Sequence, residues 1–374
     1  MKIIFTGGGT GGHFYPIISI VQEMRDILKE QRMVEPKFFF LSTTPYNKGI
    51  LYDNNIIYKR VFAGKIRRYK SILNFFDLFK TGIGLIKALW TVFWIFPDII
   101  VSKGGYASFP TVLAGRILGI PVFMHESDSQ MGKVNRWTSK FAKKIAISYP
   151  DAASGLPEEK IAWTGNPIRR EIQMPAQEGA HKFLDFDEGV KTIFVVGGSQ
   201  GAQSINNAIL DVLDKLVEKY QIVHQTGKAN LESISETAKL ILDTSPHYNR
   251  YKPYGYMNDL AIRMSAGAAD LVITRAGSTL FEIANWGIPS IVIPIPEEVS
   301  HDQRENAYNY ARSGACTVIE ENNLTPEILT TEIDRILDNQ EIINKMKEGA
   351  KSFSKPNAGR KIAEEILELI ISHE

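Results

Sequence analysis

The sequence is poor in cysteine and has no excess of charge of either sign. Cys316 is the single cysteine among 374 residues, which excludes an internal disulfide framework and any metal site built from several thiolates, and which is typical of a reducing compartment. The 43 basic and 42 acidic side chains leave a formal net charge of +1, so no general positive field attracts the chain to nucleic acid. We therefore predict no nucleic-acid partner, and any site for an anion has to be local.

Long apolar runs are also absent from the sequence. The N-terminal run Lys2 to Phe5 passes directly into glycines and is too short for a secretory signal. The most apolar stretch, Ala88 to Pro97, falls short of the roughly 18 residues that a membrane-spanning helix needs, and Lys87 and Asp98 bracket it. The sequence thus predicts a protein that stays inside the cell and does not cross a membrane, although it can lie on one.

Short apolar runs that read as strands alternate with longer amphipathic segments, and this pattern occurs twice. Such alternation predicts parallel βαβ units whose strands are buried on both faces. The predicted fold is therefore α/β, with two Rossmann-like doubly wound parallel-sheet domains facing a cleft. The predicted strands are Lys2 to Phe5, Phe38 to Leu41, Ile99 to Val101, Pro121 to Met124, Ile145 to Ser148, Lys191 to Val196, Gln221 to Gln225, Leu271 to Thr274 and Ser290 to Ile293.

The length of the chain fits two domains, and the turn-forming segment Thr164 to Pro167 marks the hinge between them. We predict a first domain over residues 1–164, a second over residues 165–354, and a C-terminal helix within residues 355–374. The apolar residues of this helix, Ile362, Ile366, Leu367 and Ile370, are spaced to lie on one face. This face should dock on another surface, and we place it on the first domain.

Two glycine turns each follow a predicted strand. The first, Gly7 to Gly12, precedes His13 and a helix predicted to open near Pro16, and its glycines allow backbone N–H groups to approach an anion at the start of a helix. It fits the dinucleotide pattern G-x-G-x-x-G, but the next strand does not end in the acidic residue used for ribose, so a dehydrogenase is disfavoured. The second turn, Gly197 to Ala202, holds the same place in the second half. Each turn alone can be purely structural, whereas the pair indicates one ligand held by two sheets.

Polar side chains also follow strands of the second half. Glu282 sits where a carboxylate can accept hydrogen bonds from two sugar hydroxyls, or where it can simply be a solvated helix residue. Gln303 and Asn306 lie three residues apart on one predicted helical face and offer uncharged amides. This combination suits a neutral sugar.

In the first half, the segment His125 to Asp128 and the residue Tyr106 follow two further strands. Together with His13, these residues offer imidazoles and carboxylates that a metal ion could use. Their spacing matches no strong metal signature, and a carbohydrate site uses the same residue types as hydrogen-bond partners. We therefore favour a carbohydrate site over a metal site.

A basic stretch precedes a group of aromatic residues in the first half. Six Lys or Arg side chains and no acidic one lie between Asn54 and Phe76. Basic side chains beside exposed apolar ones are typical of proteins that lie on anionic lipid, although the aromatic residues could equally belong to a core. The predicted membrane face consists of Lys65, Arg67, Arg68, Lys70, Phe75, Phe76 and Phe79.

Seven ordered motifs together resemble the MurG family of bacterial glycosyltransferases, and the resemblance covers essentially the whole chain. They are Gly8 to His13, Ser102 to Tyr106, His125-Glu126, Gly165 to Arg169, Gly197 to Ala202, Arg275 to Gly277 with Glu282, and Gln303 with Asn306-Ala307. The resemblance implies a GT-B fold, a nucleotide-sugar donor in the second domain, an acceptor in the first, and no metal or other cofactor.

The resemblance also implies roles for individual residues. His13 is the expected general base, since a neutral imidazole is a competent base at cellular pH, and Glu126 and Asp128 stay open as alternatives. Ser199 and Arg169 would contact the donor phosphates, the main chain of Met257 the uracil, and Glu282 the ribose. The implied donor site comprises Thr10, Gly11, Gly12, Arg169, Ser199, Gln200, Met257, Glu282, Gln303 and Asn306, and the implied acceptor site comprises Gly104, Tyr106 and His125. The chain departs from the family pattern at Ser127-Asp128, in the short spacing from Arg275 to Glu282, and in the acidic loop Pro296 to Asp302.

The implied reaction is an inverting transfer of N-acetylglucosamine from UDP-N-acetylglucosamine to the 4-hydroxyl of undecaprenyl-pyrophosphoryl N-acetylmuramoyl-pentapeptide, a step of peptidoglycan synthesis. The implied location is peripheral, on anionic lipids at the cytoplasmic face of the cell membrane. Alternatives are a transferase that uses another lipid acceptor such as diacylglycerol, a UDP-sugar epimerase of the same architecture, and a nucleotide-binding protein without activity. Tyr106, His125 and the membrane face favour the transferase.

Overall fold

The computed structural model describes residues 1–64, 73–198, 201–296 and 303–371, with the backbone alone for residues 73–76 and 78. The chain divides into two units, of which the first consists of residues 1–169 together with 355–374 and the second of residues 170–354. The division falls after Arg169, a few residues beyond the predicted hinge. The reason is that the carbonyl groups of Gly165 and Ile168 still hydrogen-bond to His125 and Ser19 of the first unit.

The described part of the first unit contains a sheet of seven parallel strands in the order β3-β2-β1-β4-β5-β6-β7. The strands are β1 Lys2–Thr6, β2 Lys37–Ser42, β3 Ile56–Arg60, β4 Ile99–Ser102, β5 Val122–Glu126, β6 Lys144–Ile147 and β7 Ile161–Trp163. The helices between them are α1 Gly11–Glu30, α2 Lys48–Asp53, α3 Leu73–Ile95, α4 Phe109–Ile117 and α5 Lys133–Thr138.

The second unit repeats this architecture, and its described part contains six parallel strands in the order β10-β9-β8-β11-β12-β13. The strands are β8 Thr192–Val196, β9 Gln221–Gln225, β10 Tyr251–Tyr254, β11 Leu271–Thr274, β12 Ser290–Val292 and β13 Cys316–Val318. The helices are α6 Ala180–Leu184, α7 Gln203–Leu210, α8 Leu213–Lys219, α9 Leu231–Ile241, α10 Asp259–Ala268, α11 Thr279–Trp286, α12 Arg304–Arg312, α13 Pro326–Leu337 and α14 Gln340–Phe353. The last helix, α15 Ala358–Ile371, belongs to the first unit.

The first sheet carries a hydrophobic core on each of its faces. In β1, Ile3 and Phe5 join the cluster formed with α1 and α15, whereas Ile4 joins the cluster formed with α3 and α4. Successive side chains of a strand point to opposite faces, so these clusters lie on opposite sides of the sheet. The doubly wound parallel arrangement predicted from the sequence is therefore confirmed.

Four strands of the structure were not predicted, and all four lie at the edges of the two sheets: β3, β7, β10 and β13. An edge strand pairs with one neighbouring strand only, and its other side is less buried than an interior strand. Its sequence therefore need not be a continuous apolar run. β3 ends in the exposed residues Lys59 and Arg60, and β10 contains Pro253, which an edge position tolerates. The strand signal was therefore weakest where the sheets end.

The helix after the first glycine turn begins at Gly11, and the prediction that it opens near Pro16 is wrong. The N–H groups of His13 and Phe14 already donate to the carbonyl of Thr10, at 3.2 and 3.1 Å. Pro16 lies inside the helix, where its ring nitrogen cannot donate to the carbonyl four residues before it. Two glycines and His13 therefore form the first turn of α1.

The C-terminal helix α15 packs against α1. The apolar residues that the sequence places on one face, Ile362, Ile366, Leu367 and Ile370, are buried in the same core cluster as Ile17 and Val21 of α1. Gly359 lets the two helices approach closely, because a Cβ atom on it would lie 2.8 Å from Ser19 Oγ. Helix α15 therefore completes the core of the first unit.

Ile366→Ala should lower the free energy of unfolding of the first unit by about 2–5 kcal/mol, because it removes a fully buried side chain and leaves a cavity. Ile371→Ala, on the same helix but 49% exposed, is the matched control and should cost less than about 1 kcal/mol. Urea unfolding measures both. Equal losses in the two variants would contradict this packing of α15.

Candidate active site

Each sheet reverses its strand order at one point. In the first sheet the chain runs from β1 outward to β3 and returns to β4 on the other side of β1, and in the second sheet β8 and β11 are related in the same way. In open α/β sheets, ligands bind beyond the carboxyl ends of the strands at such a point. The loops there are Gly7 to Thr10, Lys103 to Gly105, Gly197 to Ala202 and Arg275 to Ser278, which contain residues of four of the sequence motifs.

His13 of the first unit lies at the junction of two of these loops. Its Nδ1 atom is 2.9 Å from Thr10 Oγ1. A Cβ atom on Gly105 would lie 3.7 Å from His13 Cε1 and 3.1 Å from the Cα atom of Gly8. Gly105 also has a φ of 77°, which side chains rarely adopt. The two glycine loops are therefore in close contact, and His13 lies against both.

Lys103, the first residue after β4, is buried in a polar cluster. Its Nζ atom is in hydrogen-bond contact with His125 Nδ1, and lies 2.7 Å from Ser127 Oγ and 3.4 Å from Asn166 Oδ1. The other ring nitrogen of His125, Nε2, lies 3.1 Å from both Ser148 Oγ and the carbonyl oxygen of Gly165. The cluster thus joins the ends of several neighbouring strands.

Burial controls the protonation of this cluster. It lowers the pKa of Lys103 to about 7, and the negative charges of Glu126 and Asp128 oppose this only in part. Burial and the nearby Lys103 charge hold the pKa of His125 well below its usual range. His125 is therefore neutral at cellular pH and has no exposed surface. Its ring points into the interior of the first unit, and its role in acceptor binding stays a prediction.

Glu126 holds the loop that follows β5. Its two carboxylate oxygens accept hydrogen bonds from the N–H groups of Ser127, Asp128 and Gly132 and from the amide of Asn135, at 2.8–3.1 Å. Burial, reinforced by the charge of Asp128, raises the pKa of Glu126 to about 7, and these donors act in the opposite direction. Only 4% of Glu126 is exposed. Its hydrogen bonds assign it an anchoring role, so it is a weaker candidate for the base than His13.

The carboxylates and imidazoles that the sequence offered as metal ligands do not gather into a metal site. Across the described ranges, no group of three or more His, Cys, Asp or Glu side chains could hold a metal ion.

The glycine turn of the second unit is shaped by close backbone approaches. Gly198 and Gly201 have φ values of 88° and 77°, and a Cβ atom on Gly201 would lie 2.0 Å from the carbonyl oxygen of Thr226. The side-chain amide of Gln225 donates to the carbonyl of Gly198 at 3.0 Å. Ser199 and Gln200, the predicted phosphate ligands in this turn, lie outside the described residues.

Arg275 contacts several loops around the point where the second sheet reverses its strand order. Its guanidinium pairs with Glu321 at 2.5 Å and donates to the carbonyls of Ile293 and Pro294 and to Ser204 Oγ. It therefore connects the loop after β11 to the end of β12 and to the first turn of α7. These contacts make Arg275 a structural residue of the site.

Gln303 is the cap residue of α12, and Asn306 lies in the first turn of this helix. The backbone angles of Gln303 are helical, and its carbonyl accepts a hydrogen bond from the N–H of Ala307 at 3.0 Å. Gln303 Oε1 accepts from the N–H of Ile295 at 3.3 Å. Asn306 donates to the carbonyl of Ala276 at 3.1 Å and is 2% exposed. Gln303 is partly exposed. The contact of these two residues with a sugar stays a prediction.

The other predicted donor residues are placed as follows. Glu282 lies partly buried in the first turn of α11, directly after the loop that follows β11. The side chain of Met257 is buried and accepts a weak hydrogen bond from Ser265, and the prediction concerns its main chain. Arg169 belongs to the first unit, where its guanidinium stacks 3.9 Å above the ring centre of Tyr15.

Helix α3 is apolar on two opposite faces. Ala88, Val92 and Ile95 are buried in the core. On the other side, residues at intervals of three and four are each more than half exposed, and we call them the exposed apolar face of α3: Phe79, Ile83, Ile86, Trp90, Phe93 and Trp94. Of the predicted membrane residues, Phe79 belongs to this face, Phe75 and Phe76 are described by backbone alone, and Lys65, Arg67, Arg68 and Lys70 lie outside the described residues. Among the helices described, none is long and apolar enough to cross a membrane.

Comparison with known proteins accounts for both units. Residues 3–147 match the glycosyltransferase family 28 N-terminal domain, and residues 192–364 match the glycosyltransferase family 28 C-terminal domain. The crystal structure of Acinetobacter baumannii MurG has a TM-score of 0.72 to this chain at 26% identity, covering 98% of this chain and 100% of that one.

Curated relatives carry one common name, UDP-N-acetylglucosamine–N-acetylmuramyl-(pentapeptide) pyrophosphoryl-undecaprenol N-acetylglucosamine transferase. The protein from Pediococcus pentosaceus is 32% identical over 97% of this chain and 98% of its own length. The one numbered 3 from Bacillus thuringiensis is 34% identical over 92% of this chain and 93% of its own length. The chain belongs to the MurG family of glycosyltransferases.

The MurG family shares its GT-B fold with enzymes of other activity. The UDP-N-acetylglucosamine 2-epimerase from Neisseria meningitidis, bound to UDP-N-acetylglucosamine, has a TM-score of 0.68 at 14% identity, covering 98% of this chain and 100% of that one. Identity this low shows the fold alone. Membership of the MurG family therefore rests on the sequence, and the predicted GT-B fold is confirmed.

In this MurG family chain, three residues that organise the site had no role predicted from the sequence: Lys103 and Asn166, which lie inside two of the motifs, and Asn135, which lies in none. Lys103 carried a signal, since it is a charged residue directly between a fully buried strand and two glycines. Asn135 carried none, because it lies within the short helix α5 and not at the end of a strand.

Proposed function

We propose that this chain transfers N-acetylglucosamine from UDP-N-acetylglucosamine to the 4-hydroxyl of undecaprenyl-pyrophosphoryl N-acetylmuramoyl-pentapeptide, with inversion at the anomeric carbon. The observation that carries the proposal is identity of 32–34% to transferases of that name across both halves of the chain. The product is a lipid-linked disaccharide precursor of peptidoglycan. The donor binds to the second unit and the acceptor to the first.

In this reaction the acceptor oxygen forms a bond to the anomeric carbon while the bond from that carbon to the UDP oxygen breaks. The hydroxyl proton has to leave, and His13 is positioned to take it. If Nδ1 of His13 carries its hydrogen and donates to Thr10 Oγ1, the lone pair lies on Nε2, the nitrogen that would accept the proton. Thr10 would then select the tautomer that can act as a base.

The UDP leaving group carries away the electrons of the broken bond and needs compensating charge. The glycine turn Gly197 to Ala202 precedes α7, where backbone N–H groups and the helix N-terminus favour phosphate. Arg169 adds a full positive charge, and stacking on Tyr15 fixes the orientation of its guanidinium. We assign these groups to the donor pyrophosphate, together with Ser199, Gln200, Gly11 and Gly12.

His13→Ala should lower the turnover of UDP-N-acetylglucosamine and a soluble short-chain acceptor analogue by about 100-fold or more, because a positioned base is lost. UDP affinity, measured by calorimetry, should stay within about twofold of the wild type. His247→Ala, in the second unit, is the matched control and should keep full turnover.

The same assay separates the rival activities. A transferase consumes the donor in proportion to the disaccharide formed, whereas an epimerase converts the donor without any acceptor. Normal turnover of His13→Ala would remove His13 from the mechanism and leave Asp128 as the next candidate. A wild-type protein that forms no disaccharide but alters the donor sugar would overturn the proposed function.

Glu282→Ala should weaken the binding of UDP-N-acetylglucosamine by roughly 1.5–3 kcal/mol, because charge-assisted hydrogen bonds to the ribose are lost. Glu236→Ala, an exposed carboxylate on α9, is the matched control and should bind the donor normally. Titration calorimetry measures both. An unchanged affinity of Glu282→Ala would assign this carboxylate to the surface of α11.

We further propose that the chain lies peripherally on anionic lipid at the cytoplasmic face of the cell membrane, through the exposed apolar face of α3. This face extends over about 22 Å, from Phe79 to Trp94, at 1.5 Å per residue. Lys80 and Lys87 are exposed along one side of it, and the basic residues Lys65, Arg67, Arg68 and Lys70 precede α3 in the sequence. An apolar face bordered by cations is suited to lie in the interface of an anionic bilayer.

Replacing Ile86, Trp90 and Trp94 together by Ser should weaken binding to phosphatidylglycerol vesicles by at least about tenfold, because burial of one large apolar side chain contributes about 1.5–3 kcal/mol. Transfer to a bilayer-embedded acceptor should slow, and transfer to a soluble acceptor should continue. A double change of Met174 and Leu240 to Ser, at exposed apolar sites of the second unit, is the matched control. Vesicle sedimentation measures the binding.

A second set of changes tests the charges. Replacing Lys65, Arg67, Arg68 and Lys70 together by Gln should remove much of the salt sensitivity of vesicle binding, since salt screens exposed cations. Unchanged vesicle binding in the α3 variant would rule out this face, and equal loss of activity with both acceptors would assign the residues to the fold or the acceptor site.

A further inference from the structure

Lys103 brings a side-chain amine into the interior of the first unit, where its three hydrogen-bond partners are uncharged. It is 1% exposed. The partners are His125, Ser127 and Asn166, and the carboxylates of Glu126 and Asp128 act on it through their electrostatic field. Burying an amine costs free energy, so the hydrogen bonds of Lys103 have to offset the cost of its burial.

The partners of Lys103 match the hydrogens of an ammonium group one for one. An ammonium offers three donors and no acceptor, and His125 Nδ1, Ser127 Oγ and Asn166 Oδ1 can each accept one of them. His125 is at the end of β5, Ser127 follows in the next loop, and Asn166 lies after β7. Lys103 itself begins the loop after β4. One ammonium group therefore joins three strand ends at a single edge of the sheet.

The loop that Lys103 begins has little room to move. A Cβ atom on Gly104 would lie 2.6 Å from the side-chain amide of Asn135, and one on Gly105 would lie 3.1 Å from the Cα atom of Gly8. Asn135 is in turn hydrogen-bonded to Glu126 at 2.9 Å. A shift of Lys103 would therefore be passed directly to the contact between Gly105 and His13.

We propose that Lys103 is a positioning residue for sugar transfer: by donating to His125, Ser127 and Asn166, its ammonium group holds the loop Gly104 to Tyr106 against His13. The inference rests on the proposed function for its kinetic consequence. Its structural consequence, the rigidity of this loop, can be measured without any substrate.

Loss of the ammonium proton should loosen the loop. A neutral amine has two N–H donors and one lone pair, so the three contacts cannot all be donated by Lys103: one is lost, or the Ser127 hydroxyl reverses and donates to the amine. Lys103 is protonated below its pKa of about 7, and the arrangement is therefore complete at lower pH and incomplete above it. The ionisable groups that face Lys103 are His125, Glu126 and Asp128 from β5 and the loop after it, and His13 of α1 acts on His125.

The test compares Lys103→Met, which keeps the length of the side chain without its charge, with the wild type between pH 5.5 and 9. At pH 6.5 we expect kcat to fall about tenfold with the donor KM within twofold. The wild-type rate should decline as pH rises through about 7, and this alkaline limb should be absent in the variant. Lys239→Met, at an exposed lysine of α9, is the matched control and should keep both the rate and the limb.

A second variant covers the case in which Lys103→Met does not fold. Ser127→Ala removes one acceptor only and should lower kcat about threefold, and the double variant should be no slower than Lys103→Met alone if both act through one cluster.

Hydrogen exchange of the segment 103–108 at pH 6.5 should be at least about tenfold faster in Lys103→Met, or in Ser127→Ala if only that variant folds. If the wild type transfers sugar and the folded variant keeps the wild-type kcat, pH profile and hydrogen-exchange rate, Lys103 does not have the proposed role. If the wild type is inactive with every acceptor, the proposed function itself is overturned.

Discussion

The interior strands of each sheet have to be covered on both faces, and this constraint decides where the chain can place polar chemistry. With β4, β8, β9 and β11 buried along their whole length, side chains that bind a ligand are left to the loops at the strand ends. At the reversal of strand order, two such loops follow neighbouring strands in each sheet: the loops after β1 and β4, and the loops after β8 and β11. His13 and the glycine turn Gly197 to Ala202 lie at these two points.

The same constraint explains how much of the fold was predictable. The nine strands predicted from apolar runs are the interior strands of the two sheets, and the four that escaped prediction are the edges. An interior strand carries a short run of apolar residues, and this run is visible in the sequence. An edge strand such as β10, with its proline, or β13, with three partly exposed residues, takes its structure from the neighbour to which it hydrogen-bonds.

The sequence predicted which loops form the candidate site, but not which of their side chains are buried. The motifs marked the loops at the two reversals of strand order, because strand ends and glycines can be read from sequence. Whether a polar side chain at a strand end turns outward or inward depends on neighbours that are distant in the chain. His125 turns inward because Lys103 and Gly165 meet it there, and Asn306 does so because the carbonyl of Ala276 is next to it. Motif spacing contains no information about these partners.

The return of α15 to the first unit has a consequence for biosynthesis. The residues of α15 that complete the core around α1 are translated after the whole of the second unit. At about 5–20 residues per second, the ribosome needs on the order of 10–40 s to make residues 170–354. During that interval the apolar surface of α1 that α15 will cover is exposed on the nascent chain, so the first unit depends for its final packing on a helix that is made after the second unit.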